Sequence, residues 1–354
     1  MTDIREVTVD ELRNLVSEKA RTGENMLLNM GPQHPSTHGV LRLLLELDGE
    51  IVVNCIPDIG FLHTGVEKNM EAKTYQKAEV MSDRLDYLNP IGNNLVYCLA
   101  VEKLCDLDVP PRAQALRVIL AELTRINSHL VWLGTSGLDL AAMSVFLYCM
   151  REREKILDIF EMVSGQRMMT TYIRPGGLWR DVPVEVEGAA YNFIREFPTH
   201  VAEYHDLLDT NELFLDRTKG ISVINEKQCI EWGVTGPVLR AAGKAYDLRK
   251  AVPYSGYEQY DFNIPTRPEG DIYARYAVRV AEFDESLKII RQALDKLPYG
   301  PVHSNNRKFV PPPRSEIGVS MEALIHHFKL WTEGFTPPAG SVYAATESPR
   351  GELG

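Results

Sequence analysis

The stretch "PPRAQALRVILAELTRINSHLVWLGT", residues 110–135, decides the fold class of this chain. Pro110 and Pro111 supply a helix start signal, because proline is favoured in the first turn of a helix. The apolar residues that follow recur at the three- and four-residue spacing of a helix face. We therefore predict a helix over residues 111–133 as part of a helical core.

Helical patterns continue on both sides of this stretch. Asn89-Pro90 marks a break before one helix, and the glycines of "GTSGLDLAAM" predict a turn after the helix at 111–133. Thr8 and Glu11 have capping-box spacing, so a short peripheral helix is expected over residues 8–20. The remaining predicted helices cover residues 65–79, 91–105, 140–164, 184–209, 271–297 and 317–333.

Strands are predicted mainly near the N-terminus. In "VLRLLLELDGEIVVNC" two β-rich runs flank Asp48-Gly49, a strong hairpin signal, and "MLLNM" precedes them. "TYIRPGG" predicts a strand and a turn, and residues 239–266 are typical of irregular loops with short strands. The final "GSVYAATESPRGELG" predicts a strand that approaches a turn and leaves its edge without a partner.

These elements predict an α+β fold with a helical bundle core and a small N-terminal antiparallel β module. We expect four segments along the chain. They are an N-terminal extension over residues 1–25, the β module over 26–60, the helical core over 61–180 and a mixed α/β region over 181–354.

Composition excludes several classes of protein. The 354 residues carry a net charge of −11 without a basic cluster, which excludes nucleic acid as a main partner, because phosphate binding needs concentrated Lys and Arg. The five cysteines form no CxxC pair, which suits a reducing compartment. The start is acidic rather than a secretory signal, and the longest nearly apolar run, Leu140–Met150, is shorter than the roughly 18 residues that cross a membrane. We therefore expect a soluble chain.

The loop "NMGPQHPSTHGV", residues 29–40, places His34 and His38 between predicted strands. Pro35 keeps the two histidines off one helix face, so the loop is not the HExxH pattern of zinc enzymes. Histidine can pass protons at neutral pH. On spacing alone, however, hydrogen bonding of both rings to the loop backbone is the favoured interpretation.

Other polar residues also have ordinary explanations. In "SDRLDYLNP", Arg84 and Tyr87 precede a proline break and could face a cleft, but a solvated Arg/Asp pair beside a packed tyrosine is common. Arg125 and His129 share a helix face, where a neutral, hydrogen-bonded core histidine is favoured. Asp139, expected at a helix start, is explained by capping. The chain contains no GxSxG, GxxxxGK[ST], HExxH or Rossmann GxGxxG motif, so hydrolase, zinc-protease and nucleotide-binding functions lack support.

Several blocks, in order, resemble one known family. They are "GPQHPSTHGVLRLLLELDGE", "GFLHTGVEKNMEAKTYQKA", "DRLDYLNPIGNNLVYCLAVEKL" and the stretch at 110–135, followed by "YIRPGG", "RKAVPYSGYEQYDF", "SMEALIHHFK" and "ESPRGELG". The chain resembles the 49 kDa, or D-type, subunit of the proton-pumping NADH:quinone oxidoreductase, respiratory complex I. The resemblance runs from about residue 26 to the end of the chain.

The resemblance implies a fold like that of the nickel–iron hydrogenase large subunit, a distant relative that holds its metal centre with two CxxC pairs. Because this chain has no such pair, we expect it to hold no metal. In the family the vacated site is a pocket for the quinone head group, at the boundary with the small subunit that carries the terminal iron–sulfur cluster. The chain is therefore expected to hold no cofactor and to take quinone as substrate.

Matching positions carry over the family's site residues. The quinone-contacting pair falls on His38 and Tyr87, and the acid behind the histidine falls on Asp139. His34 matches the other loop histidine, for which we expect a structural role. The remaining matches are Thr135 in the pocket wall, and Arg84 and His129 beside the partner's cluster.

The implied function is that of a peripheral-arm subunit, active only in the complex, that protonates the reduced quinone. The expected partners are the B-type iron–sulfur small subunit, the C-type 30 kDa subunit, other peripheral-arm subunits and the membrane-arm subunit at the quinone entrance. The expected location is the cytoplasmic face of the bacterial plasma membrane, or the matrix side of the inner mitochondrial membrane. Two alternatives are a relative fed by ferredoxin or another donor, and a purely structural scaffold subunit, which intact His38, Tyr87 and Asp139 disfavour.

The C-terminus departs from the family pattern. Family members continue past "GELG" through a strand and an Arg-x-Pro-Ser-Phe stretch that is absent here. We expect either a truncated chain or a pocket wall supplied from elsewhere, and in both cases an isolated chain of low stability.

Overall fold

The Asp48-Gly49 turn joins two strands in the first unit of the chain, which spans Met1–Val66. The computed structural model describes residues 16–354 of the chain. Gly49 has a φ of 62°, which glycine adopts without steric cost, and the strands on either side pair antiparallel as predicted. The elements of this unit are helix α1 (Glu18–Thr22) and strands β1 (Met26–Met30), β2 (Arg42–Asp48) and β3 (Ile51–Asp58).

The three strands form one antiparallel sheet in the order β1-β2-β3, which confirms the predicted β module. A buried carboxylate ties the preceding segment to β2, because Glu46 accepts hydrogen bonds from the Ser17 amide at 3.0 Å and the Asn25 amide group at 2.7 Å. The helix predicted over residues 8–20 lies mostly outside the described residues.

From Val66 onward the chain is mainly helical, and the second unit spans Glu67–Gly354. The helices are α2 (Val66–Glu71), α3 (Tyr75–Ser82), α4 (Pro90–Cys105), α5 (Pro111–Asp139), α6 (Met143–Ser164), α7 (Val184–Leu208), α8 (Glu212–Thr218), α9 (Glu226–Glu231), α10 (Gly236–Ala241), α11 (Leu248–Ala251), α12 (Ile272–Asp295), α13 (Arg314–Ile317) and α14 (Met321–Thr332). Two short hairpins complete it: β4 (Ile173–Arg174) with β5 (Gly177–Leu178), and β6 (Thr346–Ser348) with β7 (Gly351–Leu353).

Helix α5 forms the centre of the second unit. Its side chains are buried on every face over most of its length, as in a helix surrounded by others. It packs against α6 and α12, and α4 and α7 complete the main apolar cluster. Leu123, Ile126 and Leu130 lie at the middle of this cluster with no exposed surface. The α+β fold with a helical core is therefore confirmed, whereas the likeness to hydrogenases stays a prediction.

The predicted turn after residue 133 is wrong, because α5 continues through Gly134 and Gly137 to Asp139. These glycines face α6 at close range. A Cβ atom on Gly134 would lie 3.3 Å from the Cβ of Cys149, and one on Gly137 would lie 3.2 Å from the Cβ of Val145. The glycines therefore allow two helices to approach rather than ending one. Asp139 consequently lies at the end of a helix, not at a helix start.

Three other sequence predictions need correction. The helix predicted over 65–79 is two helices, α2 and α3, separated at residues 72–74. Residues 239–266, expected to contain short strands, contain the end of α10, α11 and a 3-10 turn at Tyr257–Gln259. The final strand does not lack a partner, since Thr346 pairs with Leu353 within the β6–β7 hairpin.

Candidate functional site

The histidine loop of the first unit is a tight 3-10 turn over Pro35–Thr37. His34 begins this turn, and its Nδ1 accepts a hydrogen bond from the Ser36 amide at 3.1 Å. The buried Thr37 hydroxyl donates to the carbonyl of His34 at 3.0 Å. His38 ends the turn with a φ of 53°, in the left-handed region. His34 is thus part of the loop's own bonding, and the strained backbone at His38 fixes where its ring is presented.

Tyr87 lies in the second unit, on the segment between α3 and α4. Two acids pin this segment. The buried Asp83 accepts hydrogen bonds from the amide and hydroxyl of Thr171 at 2.7 and 2.6 Å. Asp86 accepts from the Leu88 amide at 3.1 Å, and Arg350 Nε lies 3.3 Å from its other oxygen. The Tyr87 side chain itself is 48% exposed.

Arg84 occupies the same segment and its guanidinium is partly engaged. Its Nη1 donates to the Val80 carbonyl at 2.7 Å, one turn back along α3. The Arg84 side chain is exposed. Among the described residues Asp86 forms its ion pair with Arg350, not with Arg84 as the common arrangement would have it. The segment between α3 and α4 therefore presents a phenol and a guanidinium from a pinned backbone.

A cavity of about 390 Å³ opens next to this segment, between α5, α12 and the turn of the β6–β7 hairpin. Its lining includes two residues singled out from the sequence, His129 and Thr135, together with Leu88, which follows Tyr87. The Thr135 hydroxyl donates to the Val131 carbonyl of its own helix at 2.8 Å. The structure thus brings the Tyr87 segment, Thr135 and His129 into one region of the second unit.

Two arginines that the sequence did not single out also line this cavity. The Arg279 guanidinium lies over the Trp132 ring at 4.2 Å, and burial lowers the pKa of Arg279 to about 10. Arg350 joins it from the hairpin turn. The sequence could not place Arg279 and Arg350 together at this cavity, because each lies far along the chain from the other and from Trp132. The cavity lining therefore combines two arginines with apolar side chains.

His129 is a buried, hydrogen-bonded histidine, as the favoured interpretation of its spacing predicted. Its Nε2 lies 2.7 Å from Glu282 Oε2 on α12. Burial lowers the pKa of His129, although its bond to Glu282 acts in the opposite direction. Arg240 in turn holds Glu282 through its Nη2 at 2.7 Å and Glu347 through its Nη1 at 2.8 Å. His129 therefore lies at the edge of a larger network of buried, charged side chains.

Within residues 16–354, that network contains seven buried ionic side chains besides His129. The cations are Arg125, Arg240 and Arg249, and the anions are Glu122, Asp247, Glu282 and Glu347. It joins α5, α10, α11, α12 and β6. Although burial alone would raise the pKa of Glu282, Arg240 and His129 hold it well below its usual range. Each of the seven side chains contacts at least one opposite charge, but burial raises the pKa of Glu347 even though Arg240 acts in the opposite direction.

Asp139 is the last residue of α5 and its side chain is exposed. The capping explanation from the sequence is wrong, because capping carboxylates act at helix starts. At a helix end the partial negative charge of the backbone repels a carboxylate. The carboxylate of Asp139 therefore does not stabilise α5 through the helix dipole.

His38 belongs to the first unit, and the other five predicted site residues belong to the second. Among residues 16–354, no group of three or more His, Cys, Asp and Glu side chains is arranged to hold a metal ion. Within the same range, no helix combines the length and apolar character that a membrane crossing needs.

Comparison with known proteins decides the family. A family model described as "Respiratory-chain NADH dehydrogenase, 49 Kd subunit" matches residues 139–354. The chain belongs to this family. It is 62% identical to a D-type subunit of NADH-quinone oxidoreductase from Chloroflexus aurantiacus, over 94% of this chain and 81% of that relative. It is 60% identical to a D-type subunit of the same enzyme from Herpetosiphon aurantiacus, over 96% of this chain and 82% of that relative.

Membership of the 49 kDa subunit family confirms the identification made from the ordered sequence blocks. A further relative, a D-type subunit of NADH-quinone oxidoreductase from Roseiflexus castenholzii, is 62% identical over 93% of this chain and 80% of that relative.

Proposed function

We propose that this member of the 49 kDa family acts as the D-type subunit of an NADH-quinone oxidoreductase and forms the pocket for the quinone head group. The observation that carries the proposal is the Tyr87 segment, pinned by Asp83 and Asp86 beside a cavity lined by Thr135 and His129. A pinned backbone with an exposed phenol is suited to present a hydrogen-bond donor to a bound molecule. The relatives are named as subunits of NADH-quinone oxidoreductase, which supports the same function.

Quinone chemistry explains why the pocket would need two donors. Two-electron reduction places negative charge on both quinone oxygens, and each must gain a proton. A tyrosine hydroxyl and a histidine ring are suitable general acids. In this proposal Tyr87 donates to one oxygen and His38 to the other. The left-handed backbone at His38 supports the assignment, because strained positions of this kind cluster at functional sites.

Asp139 would compensate the charge of protonated His38. Its position at the end of α5 supports this role, since the helix itself gains nothing from a carboxylate there. Once the histidine proton has been transferred, the charge of Asp139 would be uncompensated. We propose that this new charge starts the change that is passed to the proton pump.

Arg84 and His129 would lie beside the iron–sulfur cluster of the B-type small subunit. A positive or protonatable neighbour stabilises a reduced cluster and raises its reduction potential. The C-type subunit and the membrane-arm subunit would be further partners, with the chain attached peripherally at the cytoplasmic face of the membrane. The pH dependence of the cluster's reduction potential in the complex checks the part assigned to His129.

The proposal is tested by Tyr87→Phe in the assembled complex, which removes one hydroxyl from an exposed side chain. We expect NADH-driven quinone reduction to fall by about 100-fold, the size of a lost general acid. Electron transfer from NADH to a water-soluble one-electron acceptor should stay at the wild-type rate. Tyr299→Phe is the matched control, because Tyr299 is 98% exposed and lies outside the site. Wild-type quinone reduction in Tyr87→Phe would refute the proposal and favour a scaffold role.

A further inference from the structure

A second cavity, of about 690 Å³, is lined by none of the residues proposed for the quinone chemistry. It is bounded by α3, the β4–β5 hairpin, α13 and α14. Its walls are mainly aromatic and apolar, with Trp179, Phe309, Trp331 and the run Pro311–Pro313. Trp179 and Trp331 are about half exposed, so the cavity is open to solvent. A volume of this size with apolar walls and a few polar groups is typical of small-molecule sites.

The floor of this cavity holds two polar side chains whose hydrogen bonds are incomplete. Glu79 is 1% exposed, and Arg174 Nη1 lies 2.8 Å from its Oε1 in an ion pair. Among residues 16–354, neither carboxylate oxygen has a partner in hydrogen-bond geometry, and the same holds for the amide nitrogen and oxygen of Gln76. The Arg174 and Asn94 side chains are the nearest polar neighbours of Glu79. Because buried polar groups are almost always fully bonded, the remaining capacity of Glu79 and Gln76 at a cavity wall points to a ligand.

The charges at the floor define what that ligand can be. Burial raises the pKa of Glu79 to about 8 even though Arg174 acts in the opposite direction. At neutral pH Glu79 therefore carries a proton, and within the described part of the chain the Arg174 guanidinium is neutralised only by the more distant Asp83. The floor then offers O–H and N–H donors, one of them a guanidinium.

Asp83, directly after α3, is the acidic neighbour of Glu79 and raises the pKa of Glu79 further by repulsion. Its carboxylate is bonded to the amide and hydroxyl of Thr171, although burial raises its own pKa. From α4 and α5, Tyr97 and Cys98 are neutral because burial raises the pKa of each, and Arg117 is paired with Glu102. The ionisable side chains that the described residues add at the rim are basic: His303, Arg314 and His327.

We propose that this cavity binds a carboxylate carried on an aromatic or short aliphatic body. The carboxylate would accept hydrogen bonds from Arg174, from protonated Glu79 and from the Gln76 amide, while the apolar body would lie between Trp179 and Trp331. A cation is excluded by Arg174 and the basic rim. A phosphate dianion fits poorly, because one guanidinium neutralises only half of its charge. The proposal is independent of the quinone function.

The test is binding of 2-naphthoate to the purified full chain, followed by tryptophan fluorescence and calorimetry. The matched probe is 2-naphthylmethanol, which has the same rings and no charge. We expect the acid to bind at least about tenfold more tightly than the alcohol at pH 7, the size of a charged hydrogen bond. The affinity for the acid should fall about tenfold between pH 7 and pH 9, because only the protonated fraction of Glu79 is competent.

Single substitutions test which side chains contribute to the binding of 2-naphthoate. Glu79→Gln keeps a donor and should make binding independent of pH over this range, whereas Arg174→Gln should weaken it by at least about tenfold. His303→Asn and His327→Asn, measured in the same series, separate any rim contribution to the pH dependence. Trp331→Leu, at a half-exposed position on α14, weakens naphthoate binding without touching the buried floor. Arg195→Gln, an exposed arginine on α7, is the control and should bind as wild type.

The proposal would be overturned if the acid and the alcohol bound with equal affinity. It would also be overturned if neither Arg174→Gln nor Glu79→Gln changed the affinity for 2-naphthoate or its pH dependence. The absence of binding at millimolar concentration would overturn it as well. The carboxylate could come from a free acid or from an acidic side chain of a neighbouring subunit. Binding of 2-naphthoate to the assembled complex as well as to the free chain identifies a free acid. Binding to the free chain alone, with the same dependence on Glu79 and Arg174, identifies a neighbour's carboxylate.

Discussion

At the scale of single residues, burial decides the chemistry of Glu79 and the sequence could not show it. Glu79 lies in a predicted helix among Lys and Glu residues and resembles any exposed helical acid. The fold encloses it because the β4–β5 hairpin and α14, which are distant along the chain, cover that face of α3. The same limit applies to Asp139, whose place at a helix end depended on where α5 stops. By contrast, the bonding of His34 and the burial of His129 were predictable from local sequence.

Glu79 makes the stability of the chain depend on pH. Between the ordinary value of 4.5 and the raised value of about 8, the folded chain holds the Glu79 proton and the unfolded chain does not. The free energy of unfolding therefore falls as pH rises through this window. In Glu79→Gln this decline is absent, so the difference between variant and wild type should grow by about 1.4 kcal/mol per pH unit. Chemical denaturation at several pH values between 5.5 and 8 measures it.

The control for this prediction is Glu185→Gln, at an exposed acid in the first turn of α7. Its unfolding curves should run parallel to those of the wild type across the same pH range. If Glu79→Gln also runs parallel to the wild type, Glu79 does not retain its proton in the folded chain.

At the scale of elements, helix starts at a proline were predicted well, and the helix end near two glycines was predicted poorly. Pro90 and Pro111 marked the starts of α4 and α5 correctly. Glycines at 134 and 137 predicted a turn, because glycine in isolation disfavours a helix. Here the packing of α5 on α6 overrides that preference. The end of α5 could not be predicted because it depends on the contact between α5 and α6, which the sequence around the glycines does not show.

This interpretation predicts the effect of adding methyl groups at the α5–α6 contact. Gly134→Ala/Gly137→Ala should lower the free energy of unfolding by about 1–3 kcal/mol, because Val145 is buried and cannot move aside easily. Gly188→Ala on α7 is the control, since its Cβ would meet no atom within 4 Å. That change should stabilise the chain by up to about 1 kcal/mol through helix propensity alone. Equal effects at both sites, measured by urea denaturation, would contradict the packing argument.

At the scale of the whole molecule, the buried ionic network is the main feature that the sequence did not reveal. Its members come from five segments between α5 and β6, and each looks like a surface charge in its own segment. The α+β class and the helical core were predictable because they follow from periodicity. The network was not, because no periodic pattern links Arg240 to residues 42 and 107 positions away.

Removing one charge from the centre of the network should be costly. Arg240→Met leaves Glu282 and Glu347 buried without their main partner, so we expect a loss of about 3–5 kcal/mol in the free energy of unfolding. Arg195→Met, at a side chain that is 70% exposed, should change it by less than about 0.5 kcal/mol. Thermal and urea denaturation of both variants check this. A small loss for Arg240→Met would show that water reaches the network.

The contact between Arg240 and Glu347 also constrains the order of events during synthesis. Arg125 and Arg240 are made long before residue 347 leaves the ribosome, yet both bond to Glu347 in the finished interior, Arg125 through the backbone carbonyl and Arg240 through the carboxylate. Until then, within residues 16–354, Arg125 can hydrogen-bond only to Glu122, and Arg240 only to Glu282 and the Tyr246 carbonyl, so the place of residue 347 between them stays hydrated. We expect the second unit to complete its folding only after residue 347 has been translated. A nascent chain of this protein therefore depends on protection from aggregation through most of its translation.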